Sequence, residues 1–346
     1  MSRLYEEIHE QPDVIARLIA AEADAVARIV GELRRRPIQY VLIAARGTSD
    51  NAATYGKYLF ASLARLPVGL AAPSLYTVYH TPPRTGTEAL VLAISQSGES
   101  PDIVAVIDEA RRAGAATLAI TNAPASPLAK ASEYTIHCHA GPELSVAATK
   151  TYTAELTALA LLTAQWSGDD GRKAQVLQLP EAVRQTLDLK DTVRAHAERY
   201  RYAEACVVLG RGYNYCTAHE IALKLKELSY ILAESYSTAD FVHGPVAIIA
   251  QGFPVLVVAP SGEVFPDLLA LARELKDKGA ELIAISDRPD ALDMAVTPLQ
   301  LPVTLPEWLS PVTCVIPGQL LAHDLTVAKG LDPDHPRGLH KVTLTH

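Results

Sequence analysis

The stretch "LVLAISQSGESPDIVAVIDEARRAGAATLAITN", residues 90–122, contains the pattern that decides the fold. An apolar run ends in hydroxyl, amide and glycine residues, a segment with helical spacing follows, and a second apolar run ends the stretch. Short apolar strands that alternate with helices of this length are typical of parallel sheets covered by helices. The stretch therefore predicts a strand, a turn, a helix and a second, parallel strand.

The same pattern occurs twice in the chain. Residues 255–287, "VLVVAPSGEVFPDLLALARELKDKGAELIAISD", parallel residues 90–122, and "CVVLGRG" at 206–212 parallels "YVLIAARG" at 40–47. Gly47 corresponds to Gly212. The repetition predicts two homologous α/β halves. We predict an N-terminal helical arm at 1–24, a first domain at 25–165, a helical connector at 166–195, a second domain at 196–330 and a tail at 331–346.

The two copies differ at the ends of their strands, where parallel sheets bind ligands. The first copy has "TS" and "SQSGES" at positions where the second has "YN" and "APSGEV". Hydroxyls, an amide and the N–H groups of a glycine-containing loop at a helix start form a site for an anion. We therefore predict a phosphate monoester at Ser49, Ser95, Gln96, Ser97 and Ser100. The alternative is a serine-rich helix N-cap without a ligand.

The composition excludes several classes of function. The 346 residues include 39 acidic and 31 basic side chains, a formal charge of -8, which argues against binding to nucleic acids or membrane surfaces. Four dispersed cysteines without a C-x-x-C pair predict neither a disulfide framework nor a zinc cluster, and they favour a cytoplasmic location. No apolar stretch approaches the roughly 18 residues of a membrane span.

Six segments carry a resemblance to a known family: "ARGTSDNA", "SQSGES", "AATKTYT", "ALKLKELSY", "FVHGP" and "PRGLHKVT". With them the chain resembles the isomerase portion of glucosamine-6-phosphate synthase and the stand-alone type II glucosamine-6-phosphate deaminases, which are double sugar-isomerase (SIS) domain proteins. The likeness runs in the family's order from "EEIHEQP" to the last residues. It implies two flavodoxin-like αβα domains with parallel sheets, an N-terminal helical arm, a C-terminal catalytic tail and no cofactor.

The resemblance also implies roles for individual residues. Glu227 would move a proton between C1 and C2 of an open-chain sugar, and Lys224, one helical turn earlier, would hold that carboxylate and substrate oxygens. His243 would open the sugar ring and reach the active site of a neighbouring subunit in a homodimer. Lys341 would engage the ketose carbonyl as an imine. The phosphate would bind the serines named above, and further substrate contacts are implied at Gly47, Thr48, Val146 and Ala148.

Without the resemblance, these residues have ordinary interpretations. "KLKE" is typical of a helix-surface salt bridge, a lone loop histidine such as His243 is usually structural or solvated, and Lys341 belongs to what reads as an exposed terminus. "GRGYNY", residues 210–215, has a tyrosine where a dinucleotide fingerprint needs its third glycine. His137 and His139 form an incomplete metal site, so we expect no metal and favour an ordinary strand edge.

Three departures from the synthase pattern, Ala148, Asp240 and His340, bear on which sugar binds. Because the first cysteine is Cys138, we expect no glutamine hydrolysis. The sequence therefore predicts a deaminase that converts glucosamine 6-phosphate and water to fructose 6-phosphate and ammonia. Alternatives are a phosphosugar ketose-aldose isomerase, a fructosamine-6-phosphate deglycase, a synthase-like aminotransferase that uses free ammonia, and a non-enzymatic sugar-phosphate sensor.

Overall fold

The computed structural model of the chain describes residues 2–341 and divides into two compact units. The first-sheet unit comprises residues 13–143, 150–178 and 340–341, and the second-sheet unit comprises residues 2–12, 144–149 and 179–339. Met1 of the predicted arm and residues 342–346 of the predicted tail lie outside the described residues. Between residues 2 and 341, the helices are too short or too polar to cross a membrane.

The helices follow the predicted alternation with strands. They are α1 (Arg3–His9), α2 (Gln11–Leu33), α3 (Thr48–Leu59), α4 (Ser74–Thr77), α5 (Pro101–Arg112), α6 (Pro127–Ala131), α7 (Lys150–Ser167), α8 (Asp170–Val176), α9 (Leu179–Thr186), α10 (Lys190–Ala197), α11 (Tyr215–Lys224), α12 (Thr238–Phe241), α13 (Phe265–Asp277), α14 (Pro289–Leu292) and α15 (Ser310–Ala328). Helix α2 continues past residue 24, and α8, α9 and α10 occupy most of 166–195. The division into five segments stays a prediction.

The first-sheet unit is built on five parallel strands in the order β2-β1-β3-β4-β5. They are β1 (Tyr40–Ala44), β2 (Val68–Leu70), β3 (Ala89–Ile94), β4 (Ala116–Thr121) and β5 (Tyr134–His137). Every residue of β3 and β4 is buried, which means that both faces of the sheet are covered at its centre. Their apolar runs, rather than an alternating pattern, reflect this burial.

The second-sheet unit repeats this topology. Its parallel strands are β6 (Ala205–Gly210), β7 (Leu232–Ser237), β8 (Pro254–Val258), β9 (Glu281–Ser286) and β10 (Thr297–Gln300). Their order, β10-β9-β8-β6-β7, is the first sheet's order read from the other edge. This is the flavodoxin-like order, whose direction of winding reverses between the first and third strands. The predicted fold class, two α/β halves with parallel sheets, is confirmed.

Each half contains a π-helical turn that the sequence pattern did not predict. Helix α3 continues into a π-helix at Phe60–Ala64 that ends in a left-handed Arg65, and α11 continues into a π-helix at Leu225–Ser229 that ends in a left-handed Tyr230. The alignment that pairs Gly47 with Gly212 also pairs these two turns. π-Helical turns are rare and occur frequently at functional sites. The duplication therefore extends to an unusual local geometry.

Candidate active site

The loop between β3 and α5 contains four residues of the predicted phosphate site, Ser95, Gln96, Ser97 and Ser100. Ser95 Oγ accepts a hydrogen bond from Gly98 N at 3.1 Å, and Ser97 Oγ accepts one from Glu99 N at 3.3 Å. A hydroxyl that accepts in this way keeps its own hydrogen for donation to a ligand. Ser100 occupies the N-cap position of α5, yet within the described chain its side chain makes no capping bond. The simple N-cap interpretation therefore does not explain these serines.

Gly98 fixes the shape of this loop. Its φ of +63° lies in the left-handed region, and a β-carbon there would meet Ser126 Oγ at 2.1 Å. Both the backbone conformation and the close approach of Ser126 therefore require glycine. Gln96, between the serines, is partly exposed at the loop surface.

Ser49 differs from the other serines. It lies at the start of α3, after Thr48 and the left-handed Gly47, and its Oγ donates to Glu155 Oε1 at 2.9 Å. The Glu155 side chain is buried. Because that carboxylate takes the hydroxyl hydrogen, Ser49 presents lone pairs rather than a donor in this conformation. Its predicted phosphate contact stays a prediction.

Arg46 is a cation at this edge of the sheet that the sequence analysis missed. Its Nε donates to Asp102 Oδ2 at 2.9 Å, and Asp102 is a buried residue in the first turn of α5. This ion pair links the loop after β1 to the loop after β3. Burial raises the pKa of the nearby Asp50 side chain, whereas the positive charge of Arg46 acts to lower that pKa. The predicted neutral phosphate site therefore has a partly exposed guanidinium beside it.

The predicted sugar contacts Val146 and Ala148 lie on a segment of the second-sheet unit. Both residues are partly exposed, and their sequence neighbours Ser145 and Ala147 are buried. The carboxylate of Glu7 in α1 accepts backbone N–H groups from Leu144 at 2.5 Å and Ser145 at 3.3 Å. The N-terminal helix thus holds the backbone at the start of this segment.

Lys224 and Glu227 form an ion pair that is not a surface salt bridge. Lys224 Nζ lies 2.6 Å from Glu227 Oε2, and the lysine side chain is 1% exposed whereas the glutamate is 25% exposed. Lys224 Nζ also lies 3.4 Å from Oε1 of the buried Glu220. Burial lowers the pKa of Lys224, but the charges of Glu220 and Glu227 outweigh it and the net shift is upward. The ordinary interpretation of "KLKE" as a solvated pair is therefore wrong.

His243 follows α12 in an exposed position. Its backbone N–H donates to Asp240 O at 3.1 Å, and Gly244, with φ of +142°, turns the chain into a short 3₁₀ helix at Pro245–Ile248. The side chain is accessible in the single chain. The ring-opening role of His243 and its action across a dimer interface stay predictions.

Lys341 is not a solvated lysine on an exposed terminus. Its Nζ lies 2.8 Å from Glu143 Oε2, and the side chains of the lysine and the glutamate are 24% and 0% exposed. Both residues belong to the first-sheet unit. The sequence analysis missed Glu143, because nothing in the sequence relates residue 143 to a lysine 198 positions away.

The histidines of "IHCH" do not resemble a metal centre. Among residues 2–341, no three His, Cys, Asp or Glu side chains are grouped to hold a metal ion. His137 ends β5, at the edge of its sheet, and His139 lies beyond the strand, with ring centroids 4.1 Å apart. His139 Nε2 lies 2.7 Å from Glu22 Oε1. Burial and the neighbouring His139 lower the pKa of His137.

The chain is similar to a known domain family and to known proteins over most of its length. The SIS domain family model matches residues 37–165 and 200–292. The glutamine–fructose-6-phosphate aminotransferase (isomerizing) of Thermus thermophilus is 38% identical over 98% of this chain and 58% of that protein. The chain thus spans somewhat more than half the length of the curated relatives that it matches.

Two solved structures are similar over nearly the whole chain. One is a Silicibacter pomeroyi protein only provisionally described as a phosphosugar isomerase, with 38% identity and a TM-score of 0.86 over 96% of this chain and 100% of that one. The other is glucosamine-6-phosphate deaminase from Thermotoga maritima, with a TM-score of 0.82 over 99% of this chain and 100% of that one. At 23% identity the second comparison shows the fold alone.

Proposed function

The chain belongs to the SIS domain family, as its motifs predicted, and on that premise we propose that it isomerises a phosphorylated amino sugar. In its specific form the proposal is a glucosamine-6-phosphate deaminase that converts glucosamine 6-phosphate and water to fructose 6-phosphate and ammonia. The identity to aminotransferases and to a protein provisionally described as a phosphosugar isomerase supports this class of substrate.

The observation that carries the proposal is the pair of Lys224 and Glu227. Exchange between an aldose and a ketose needs one base that removes a proton from one carbon and returns it to the next. Glu227 is held at a fixed position by a buried cation, and its carboxylate remains partly exposed. A positioned and accessible carboxylate has the properties that this proton transfer requires.

The proposed reaction proceeds through an open-chain sugar, whose ring His243 helps to open. Glu227 removes the proton from C2, the electrons shift toward C1, and the proton is returned at C1, while a proton from the nitrogen passes to the C1 oxygen, which becomes a hydroxyl. The nitrogen at C2 is then an imine. Water adds to C2, ammonia leaves, and the ketone of fructose 6-phosphate remains. The donors of the loop 95–100 hold the phosphate, and Arg46 adds a positive charge beside them.

The cysteines of the chain bear on the source of nitrogen. Cys138, Cys206, Cys216 and Cys314 are all buried. Burial raises the pKa of Cys138 and Cys314 and raises that of Cys206 to about 12. A cysteine that attacks glutamine must be an accessible thiolate. We therefore propose that these 346 residues exchange nitrogen with free ammonia rather than hydrolyse glutamine with one of their own thiols.

The second candidate is the reverse reaction, amination of fructose 6-phosphate, which the 38% identity to an aminotransferase favours.

One assay separates the candidates. The purified protein is incubated with a panel of 6-phosphosugars, with and without ammonium, while ammonia, ketose and aldose are measured. We expect ammonia and ketose from glucosamine 6-phosphate, and their loss in Glu227→Gln. Turnover of another sugar phosphate, with none of glucosamine 6-phosphate, would leave the isomerase or deglycase alternative.

A further inference from the structure

Glu143 is a buried carboxylate with a charged partner. Its Oε1 accepts the backbone N–H of Thr151 at 3.1 Å, and its Oε2 accepts Thr151 Oγ1 at 2.7 Å and Lys341 Nζ at 2.8 Å. Thr151 lies in the first turn of α7, so the carboxylate is fixed against a rigid element. The Glu143 side chain has 0% exposure, whereas that of Lys341 has 24%. The lysine therefore joins a fixed internal carboxylate to the accessible surface.

The surroundings of Glu143 are acidic. Besides burial, the charges of Glu155, Glu143 and Glu22 raise the pKa of Cys138, which places three carboxylates around that thiol. Nearby Lys150 Nζ donates to Pro142 O at 2.7 Å. Negative charge in a buried environment stabilises an ammonium partner. Lys341 Nζ contacts one of these carboxylates, Glu143 Oε2, at 2.8 Å.

An ammonium group cannot attack a carbonyl, because its nitrogen has no free electron pair. If Lys341 forms an imine with a ketose, as the resemblance to the family implies, it must first lose a proton. The acceptor must lie within hydrogen-bond distance of Nζ. Glu143 Oε2 satisfies this condition at 2.8 Å.

We infer that Glu143 is the proton acceptor that activates Lys341, an inference that rests on the proposed function. The ammonium proton passes to Glu143, giving a neutral amine and a carboxylic acid. The amine nitrogen bonds to the ketose C2, and the carbonyl oxygen takes up a proton to give a carbinolamine. The protonated Glu143 then returns its proton to the departing hydroxyl, which leaves as water. The proton taken up by the carbonyl oxygen comes from the attacking nitrogen, so the sum is ketone plus ammonium giving protonated imine plus water, with Glu143 again a carboxylate.

The test is reductive trapping. Wild-type protein is mixed with fructose 6-phosphate and sodium borohydride, and the peptide containing Lys341 is followed by mass spectrometry at pH 7, 8 and 9. We expect a trapped adduct whose initial rate changes little with pH, because the proton acceptor is internal. Glu143→Gln keeps an oxygen for the Thr151 contacts but cannot accept the proton. We expect it to trap about 100-fold more slowly at pH 7, within the range for general-base catalysis.

The pH dependence of the variant separates a chemical role from a structural one. In Glu143→Gln the lysine proton must pass to water instead. The initial rate of trapping should therefore rise about tenfold per pH unit, because the neutral fraction of a lysine amine rises by that factor. The matched control is Glu22→Gln, which removes another carboxylate near Cys138 and should trap within about twofold of the wild type. Lys341→Arg should give no adduct at this position.

Four results would overturn the inference. One is equal trapping by Glu143→Gln and the wild type at pH 7, and another is a loss in the variant that does not recover by pH 9. If Glu143→Gln does not fold, a wild-type rate that rises tenfold per pH unit overturns it without any variant. A wild type that releases ammonia from glucosamine 6-phosphate but yields no Lys341 adduct also removes the role of Glu143, while leaving the proposed function standing.

Discussion

Lys224 and Glu227 lie 2.6 Å apart, yet one is buried and the other reaches the surface of its unit. The chain passes from α-helix to π-helix between them, since α11 ends at Lys224 and the π-helical turn begins at Leu225. In the first copy of the repeat the aligned positions are Leu59 and Ser62. The two copies therefore share the backbone of this turn, and only the second has the charged pair.

The first prediction concerns the stability that Lys224 contributes. Lys224→Met would leave the buried Glu220 without its cation, and removing one partner of a buried pair costs about 3–5 kcal/mol. Lys226→Met, at the exposed position two residues later, is the matched control and should change the free energy of unfolding by no more than about 0.5 kcal/mol. Urea denaturation of both variants at pH 7 measures the difference.

The pH dependence of this difference follows from the raised pKa of Lys224. A lysine whose pKa is higher in the folded state stabilises the fold fully below the unfolded value, about 10.4, and loses that contribution as pH rises through the folded value. The gap between the wild type and Lys224→Met should therefore be constant from pH 7 to 9 and narrow above pH 10. A gap that closes already between pH 7 and 9 would contradict the raised pKa.

The second prediction uses the internal repeat as a control for phosphate binding. Ser97→Asp would place a carboxylate where the loop is proposed to donate to phosphate, and affinity for fructose 6-phosphate should fall at least about tenfold. Ser261→Asp makes the same change in the aligned loop of the second copy and should leave the affinity unchanged. Isothermal titration calorimetry measures both. Equal affinity of Ser97→Asp and the wild type would exclude the phosphate assignment.

The third prediction concerns Gly98. Gly98→Ala combines a left-handed φ with a β-carbon 2.1 Å from Ser126 Oγ, so the loop must shift. Gly168→Ala is the control, because its φ of +72° is also left-handed but a β-carbon there would lie 3.7 Å from Arg34 Nη1. We expect the control to lose about 1 kcal/mol of unfolding free energy and Gly98→Ala to lose about 1–3 kcal/mol more. Only Gly98→Ala should also weaken fructose 6-phosphate binding.

The fold could be predicted from the sequence because local patterns of apolar residues, repeated in both halves, determine it. The apolar runs that became β3 and β4, and the correspondence of Gly47 with Gly212, were sufficient to predict two parallel sheets, and both sheets have the same strand order. The family motifs likewise located Lys224 and Glu227, whose contact lies within one helical turn.

The sequence did not predict contacts between residues that are distant in the chain. Glu143 and Lys341 are 198 positions apart, and Arg46 and Asp102 are 56 apart. A carboxylate in "GPELSV" or an arginine in "AARG" has no local feature that names its partner, since only the folded sheet brings the two together. The π-helical turns were missed for a different reason: their apolar spacing over five residues does not differ from that of a continuing α-helix.

The last prediction tests whether His243 acts across a dimer interface. His243 is exposed in the single chain, and the resemblance implies that it serves the neighbouring subunit. His243→Ala and Glu227→Gln should each be inactive alone. In a mixed dimer, the intact Glu227 of one chain and the intact His243 of the other would form one complete site, while the second site would lack both groups. With random exchange in a twofold dimer, about a quarter of the wild-type activity should return.

The control for this experiment is a mixture of wild-type protein with a variant that carries both substitutions. There each mixed dimer has one site without Glu227 and one without His243, so that only the wild-type dimers remain active. Native mass spectrometry with one isotope-labelled chain verifies both the dimer and the exchange. If exchange is complete and the first mixture stays inactive, His243 acts within its own chain or outside the reaction. A chain that is monomeric at assay concentration, and active, excludes the shared site altogether.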